Sequence, residues 1–281
     1  MKIVITGSHG FMGKKLVQTL ILEGHDICCV DLATGYDVAE WDSVKDLHDF
    51  DVIIHLAAIT YVPQSFELPR EMYRVNINGT LNMLELCRIN KAKMIFNSSY
   101  VYGKPQYLPI DEKHAVSSHN PYCQSKIIGE NLCESYYRDF QVPIMIFRIF
   151  NAYGEGHASH FLIPNILQQM RQKQEIVLEN PIPRRDYIHI RDILKAYQKA
   201  IDYQASNYEI FNIGTGMSHS AKDVAEIMLK ASPIKTKLSF SGKERVNEVL
   251  DTVADIGKIR KLLKWEPKIS LEQGLTELVK A

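Results

Sequence analysis

The feature that most constrains this chain is its opening. An apolar run at residues 3–6 leads straight into Thr6-Gly7-Ser8-His9-Gly10-Phe11-Met12-Gly13, and an amphipathic stretch follows at once. The glycines are spaced G-x-x-G-x-x-G. Glycine permits a tight turn and lets the backbone approach a pyrophosphate, while the helix N-terminus beyond supplies N–H groups and a positive dipole end. A structural turn also uses glycines. The strand before and the helix after are what make this pattern a dinucleotide site, with Gly7, Gly10, Phe11, Met12 and Gly13 expected at the cofactor.

The first half of the chain repeats the same alternation. Residues 3–6, 26–30, 52–55, 94–97 and 143–147 read as short apolar strands buried on both faces of a parallel sheet. Residues 11–23, 41–47, 71–90 and 122–140 read as helices between them. This order predicts an α/β fold, a Rossmann-type doubly wound parallel sheet over residues 1–150. Residues 151–281 read as a smaller substrate-binding lobe, with some segments returning to the first domain. There, residues 161–172, 192–203, 221–230, 256–263 and 271–279 look helical and 209–213 looks like a strand.

Composition removes several function classes. Lysine plus arginine and aspartate plus glutamate number 33 each, so no basic excess points to nucleic acid. No stretch reaches the roughly 18 apolar residues that a membrane span needs. The five cysteines (Cys28, Cys29, Cys87, Cys123 and Cys133) form no C-x-x-C pair, which suits free thiols in a reducing cytoplasm. The chain opens on a strand with no secretory apolar region before it, so a cytoplasmic location is expected and the sequons at Asn78 and Asn97 would stay unused.

Asp31 ends the second predicted strand, where a carboxylate meets the adenosine ribose hydroxyls and repels a 2′-phosphate; this favours NAD over NADP. Asp37 and Val38 follow, placed either to contact the adenine or to sit in a surface loop. Tyr122 and Lys126 stand four apart at a helix start and share one face. An ammonium and a cofactor cation nearby would lower the tyrosine pKa towards neutral and make Tyr122 a general acid or base for a sugar hydroxyl. Ser98 closes the fourth strand, where doubly wound sheets place ligands, and its hydroxyl is expected to share the proton with Tyr122.

With these residues in view, the chain resembles the extended short-chain dehydrogenases/reductases of the nucleotide-sugar epimerase/dehydratase group, over nearly its whole length. The resemblance rests on the glycine turn, His55-Leu56-Ala57-Ala58, Asn76 in Val75-Asn76-Ile77-Asn78-Gly79-Thr80, and Ser98 before Val101-Tyr102-Gly103. It continues through Tyr122-x-x-x-Lys126, Arg148-x-x-Asn151-x-Tyr153-Gly154, Arg185-Asp186-Tyr187-Ile188-His189, Trp265-x-Pro267 and Leu271-Glu272-Gln273-Gly274-Leu275. It implies that Ser98, Tyr122 and Lys126 are catalytic, that Tyr122 and Lys126 also meet the cofactor, and that Leu56, Ala57 and Ala58 line its channel. Asn151, Arg185 and Arg245 would hold the substrate diphosphate, an arginine fork suiting phosphate oxygens. Asn76 is equally read as ordering a helix–strand contact, and Arg245 as a solvated surface residue.

The reaction follows from what stands after Ser98. Dehydrating members carry an Asp-Glu pair there, and decarboxylating members tend to carry the glutamate. This chain has Ser99 and Tyr100, with no carboxylate to remove water. Two reactions remain: epimerisation through transient oxidation at sugar C4 with NAD retained, or reduction of a nucleotide-linked 4-keto sugar. Asp31 leans towards the epimerase; the short chain and Tyr100 lean towards the reductase. A non-catalytic dinucleotide sensor is disfavoured by Ser98, Tyr122 and Lys126 occurring together. A homodimer is expected through helices 71–90 and 122–140, and His157 and His160 in residues 154–161 are expected to face the sugar or base. No carboxylate or cysteine completes a metal site there, so no metal is expected.

Overall fold

The computed structural model describes all 281 residues except 173–174, 205–206 and 244–247. The chain begins with β1 (Lys2–Thr6), α1 (Phe11–Leu22), β2 (Asp26–Val30), α2 (Trp41–Val44) and β3 (Val52–His55). It continues with α3 (Val62–Glu67), α4 (Pro69–Tyr73), a π-turn at Arg74–Asn78, α5 (Gly79–Asn90), β4 (Lys93–Ser99), α6 (Pro121–Phe140) and β5 (Ile144–Ile149). Then come β6 (Asn151–Tyr153), α7 (Leu162–Arg171), β7 (Ile176–Leu178), β8 (Arg184–His189), α8 (Ile190–Asp202), β9 (Tyr208–Ile213) and β10 (Ser218–Ser220). The last elements are α9 (Ala221–Ala231), β11 (Leu238–Phe240), β12 (Asp251–Thr252), α10 (Gly257–Leu262) and α11 (Leu271–Lys280).

These elements form two compact units. The first holds Met1–Gly103, Ala115–Ile149 and Ala196–Phe211; the second holds Lys104–His114, Phe150–Lys195 and Asn212–Ala281. In the first, six strands stand in the order β2-β1-β3-β4-β5-β9, and the pairs β1–β2, β1–β3, β3–β4 and β4–β5 are all parallel. The strand order reverses beside β1, which opens a switch point at the C-terminal ends of β1 and β3. Ile53, Phe96 and Ile144 from the central strands pack into one cluster with Met83, Leu84 and Leu86 of α5, each side chain contributing about 1.5–3 kcal/mol.

Two sequence expectations change here. β2 is the sheet edge, and Ile27, Cys28 and Cys29 are only half-buried, so burial on both faces fails for this strand. The helix expected over 71–90 is broken by the π-turn, at which Asn76 turns inward. Its side chain accepts from Ile59 N (2.8 Å) and donates to Ile59 O (3.0 Å) and to Ser125 Oγ (2.9 Å). One extra residue in the turn lets that amide reach a loop and a neighbouring helix, as π-turns near functional sites commonly do.

In the second unit β8 is flanked by β10 antiparallel and by β12 and β6 parallel. Asp186 of β8 fastens it: Oδ1 accepts from Thr215 N (2.8 Å) and Thr215 Oγ1 (2.6 Å), and Oδ2 from Gly216 N (2.9 Å) and Ala254 N (3.1 Å). Ile163, Ile166 and Met170 of α7, with Val224 and Met228 of α9 and Leu275 of α11, form its core.

Candidate active site

The glycine turn sits at the C-terminal end of β1. Gly7 has φ +66°, and a Cβ there would lie 2.8 Å from Ala57 N. A Cβ on Gly13 would lie 2.1 Å from Gly7 O. Any side chain at either position would force the turn open, which is the conformational reason for glycine. Gly10 caps α1 without a side-chain hydrogen bond, leaving the helix start free of a competing cap. Asp31 reaches the turn: Oδ2 accepts from His9 N at 3.0 Å while Oδ1 accepts from Ala33 N at 3.0 Å. The carboxylate and the turn are thus held together, and a backbone cradle with an acidic neighbour suits the pyrophosphate and ribose of a dinucleotide.

A buried hydrogen-bond chain supports this end of the sheet. Thr6 Oγ1 accepts from Leu56 N and Ala57 N, each at 3.1 Å, so its own proton goes to His55 Nδ1 at 2.7 Å. Thr80 Oγ1 donates to Asn76 O (2.7 Å) and therefore accepts from His55 Nε2 at 3.3 Å. His55 is accordingly neutral with its proton on Nε2, and burial together with the Lys126 charge drives its pKa to about 3. Asp37 is bound elsewhere: Oδ2 pairs with Arg74 at 3.0 Å and Oδ1 accepts from Ala39 N at 3.0 Å. Val38 is buried under α5, where a Cβ on Gly79 would meet it at 2.9 Å.

Tyr122 and Lys126 are set by the start of α6. Asn120 caps the helix, accepting from Cys123 N at 2.7 Å, and Pro121 occupies its first turn. Tyr122 therefore stands in the first turn and Lys126 one turn later. Lys126 is buried, its Nζ donating to Asn97 O at 2.8 Å and lying 5.1 Å from the centre of the Phe96 ring.

The Ser99 side chain is the neighbour that pulls the Tyr122 pKa downward. Ser98 faces α6, the helix that carries Tyr122 and Lys126. It is 2% exposed and donates to Glu130 Oε1 at 2.5 Å. The reason is strand geometry. Successive side chains point to opposite faces, and Ser98 is in register with the buried Arg148 of β5. Arg148 grips Glu130 at 2.6 Å, so Ser98 and Arg148 meet the same carboxylate of α6. The Ser98 hydroxyl, expected to share a proton with Tyr122, is thus engaged by Glu130.

Burial raises the Tyr122 pKa to about 12, and the Ser99 side chain pulls it downward. Burial likewise draws Lys126 down to about 8. Tyr100 donates its hydroxyl to Gly103 O and stacks edge-on against Tyr102 at 5.8 Å.

The second unit holds the remaining sequence candidates. Asn151 Nδ2 donates to Asp186 O at 3.2 Å. Arg185 Nη1 donates to Arg184 O (2.8 Å) and Val249 O (2.7 Å), and its Nη2 lies 3.7 Å from Glu248. Arg245 falls outside the described residues. His157 stacks on Phe161 with centroids 4.0 Å apart, and His160 packs on the same ring at 4.4 Å.

A glycine turn at the switch point of a doubly wound sheet, followed by a tyrosine–lysine helix and a strand-end hydroxyl, defines a dinucleotide-dependent enzyme of the short-chain dehydrogenase/reductase type. The family described as NAD dependent epimerase/dehydratase matches residues 3–214, and the chain belongs to it. It is 32% identical over 306 residues to a candidate UDP-glucose 4-epimerase of Methanocaldococcus jannaschii, covering 99% of this chain and 97% of that one. It is 25% identical over 292 residues to the GDP-6-deoxy-D-mannose reductase of Pseudomonas aeruginosa, covering 99% and 96%. Its fold matches the crystal structure of UDP-glucuronic acid 4-epimerase from Bacillus cereus, in complex with UDP-glucuronic acid and NAD, with TM-score 0.89 and 28% identity over 100% and 99% of the chains.

Proposed function

We propose that this chain is an NAD-dependent nucleotide-sugar epimerase working by transient oxidation at sugar C4. The observation that carries the reading is Tyr122 in the first turn of α6, one helical turn from a buried Lys126 that donates to the end of β4. When bound, NAD would supply the hydride acceptor and a positive charge. Tyr122 takes the proton of the C4 hydroxyl and returns it after hydride has come back to the other face. Ser99 relays or steadies that proton, in the role that Ser98 was expected to fill. Lys126 stabilises the phenolate by its charge. The glycine turn (Gly7, Gly10, Phe11, Met12, Gly13), Asp31 and Leu56–Ala58 would hold the cofactor.

Asn151, Arg185 and Arg245 are proposed to bind the diphosphate of the sugar nucleotide. Asp37 is better supported as the partner of Arg74 than as an adenine contact, with Val38 beneath it. Positions 99 and 100 offer no carboxylate for dehydration. A homodimer is supported by exposed Leu81 and Ile89 on α5 and Phe140 on α6. Cysteines that are all free fit the cytoplasm.

A second reading, reduction of a nucleotide-linked 4-keto sugar, is favoured by one observation, the likeness to a GDP-6-deoxy-D-mannose reductase across nearly the whole chain. The test is to incubate the protein with a panel of UDP-, GDP- and dTDP-sugars and follow products by NMR. The epimerase should drive one sugar nucleotide to a mixture of C4 epimers with no reduced cofactor added. Turnover only of 4-keto substrates, and only with NADH or NADPH, would select the reductase.

A further inference from the structure

Two neighbouring residues of β4 are zipped to two residues of α6 that stand four apart. The Asn97 carbonyl accepts from Lys126 Nζ at 2.8 Å, and Ser98 donates to Glu130 Oε1 at 2.5 Å. Helix positions i and i+4 share a face, so these bonds close a ring through Lys126, Asn97, Ser98 and Glu130. Arg148 of β5 seals it from the far side, with Nη2 2.6 Å from Oε2 and Nε 3.0 and 3.2 Å from the two carboxylate oxygens. Glu130 and Arg148 are 6% and 5% exposed. A buried ion pair is weak evidence of stabilisation, because apolar replacements of both partners often fold as well or better. The pair here touches none of the groups proposed to move a proton or bind a ligand, yet it is wired to the lysine beside them.

We propose that Glu130, clamped by Ser98 and Arg148, is a positioning residue that keeps the Lys126 ammonium charged and aimed along the end of β4. The proposal rests on the reading of Tyr122 and Lys126 given above. Burial pulls Lys126 towards its neutral form, while Cys133 and Glu130 on its own helix push back; burial keeps Cys133 a neutral thiol, and Arg148, paired with Glu130, offsets part of the carboxylate's charge. From β3 the neutral His55 faces the same interior, and from β4 the uncharged Asn97 carbonyl and Phe96 ring meet the ammonium. Glu130 is therefore the carboxylate that supports the lysine among the described residues. At a separation of about 6 Å and an effective dielectric of about 20, its loss should lower the Lys126 midpoint by about one to two pH units.

The test uses the whole chain labelled with ¹⁵N at lysine Nζ, titrated by NMR with and without NAD, beside kcat–pH profiles on the epimerised sugar nucleotide. Glu130→Gln should shift the Lys126 midpoint down by about one to two units and move the alkaline limb of kcat with it. Ser98→Ala, which unpins one carboxylate oxygen, should shift both in the same direction by less. Should Glu130→Gln fail to fold because Arg148 is left unpaired, the double variant Glu130→Gln with Arg148→Met removes both charges and should lower the midpoint by a smaller amount, since the guanidinium lost with the carboxylate repels the ammonium. A folded variant whose Lys126 midpoint stays where it was overturns the proposal. Failure of the underlying reading looks different: Tyr122→Phe would keep full turnover, whatever Lys126 does in the titration.

Discussion

Ser98 and Ser99 are adjacent, identical in chemistry, and opposite in consequence. In Ser99→Ala the phenol of Tyr122 loses the neighbouring hydroxyl that pulls its pKa down, so an acid already held at about 12 becomes harder still to ionise. A hydrogen bond of this kind contributes about 1–3 kcal/mol, and kcat should fall about 5- to 150-fold. In Ser98→Ala the loss falls on stability. Glu130 gives up a 2.5 Å donor inside a buried ion pair, a charge-assisted bond worth about 1.5–3 kcal/mol. That variant should melt a few degrees lower while its kcat near neutral pH changes far less than that of Ser99→Ala. Steady-state kinetics and calorimetric melting on the two proteins, with Tyr122→Phe as the reference for full loss of the acid/base, decide the matter. A larger kcat loss in Ser98→Ala than in Ser99→Ala, with melting unchanged, would mean that the strand is phased the other way and the site is built around residue 98.

Three further outcomes follow from the geometry. NAD should bind more tightly than NADP in calorimetric titration, and Asp31→Ala, which frees His9 N and removes the charge facing a 2′-phosphate, should narrow the difference; equal affinities in the parent would remove the reason for preferring NAD. Arg185→Ala should raise the KM for a sugar nucleotide about 10- to 150-fold through loss of a charge-assisted phosphate contact and leave NAD affinity nearly unchanged; collapse of NAD binding instead would move Arg185 to the cofactor side. His55 is held near 3 when folded against 6.5 when exposed, so the unfolded chain takes up a proton first as pH falls, and stability declines from about pH 6.5 towards 3. Urea unfolding at pH 7 and 5 should show the parent losing about 2 kcal/mol more than His55→Gln, whose amide keeps both a donor and an acceptor; an equal loss in the two proteins would contradict the buried neutral imidazole.

Local constraints made the cofactor half of this molecule readable before any coordinates. Gly7 and Gly13 leave no room for a side chain, and the requirement shows directly as glycine spacing. Tyr122 and Lys126 lie within one helix whose cap and first proline sit beside them, so their shared face follows from the 3.6-residue period. The side of a strand that a residue faces is decided by its neighbours. That Ser98 is held by Glu130 on α6, beside Arg148 on β5, depends on partners distant in sequence. The π-turn at Asn76 is a one-residue slip that a helical pattern over residues 71–90 absorbs without trace. In the second unit β6, β7, β10 and β11 have three residues each, too few for alternation to register, and β8 mixes Arg184, Arg185 and Asp186 into a strand that reads as a polar loop. Residues 104–114 belong with that unit although both flanking segments belong with the first, a grouping set by contacts such as Ile110 N to Val253 O at 2.8 Å.

The central claim is that hydride leaves sugar C4 and returns to it within one site. The direct measurement is to supply the accepted sugar nucleotide with deuterium at C4, with NAD-loaded protein and no reduced cofactor in solution, and to locate the label by NMR and mass spectrometry in both C4 epimers. The account predicts that the label is retained at C4 in substrate and product alike, with none exchanged to solvent. Loss of the label to solvent, or turnover that begins only when NADH or NADPH is supplied and consumes one equivalent per product, would contradict it.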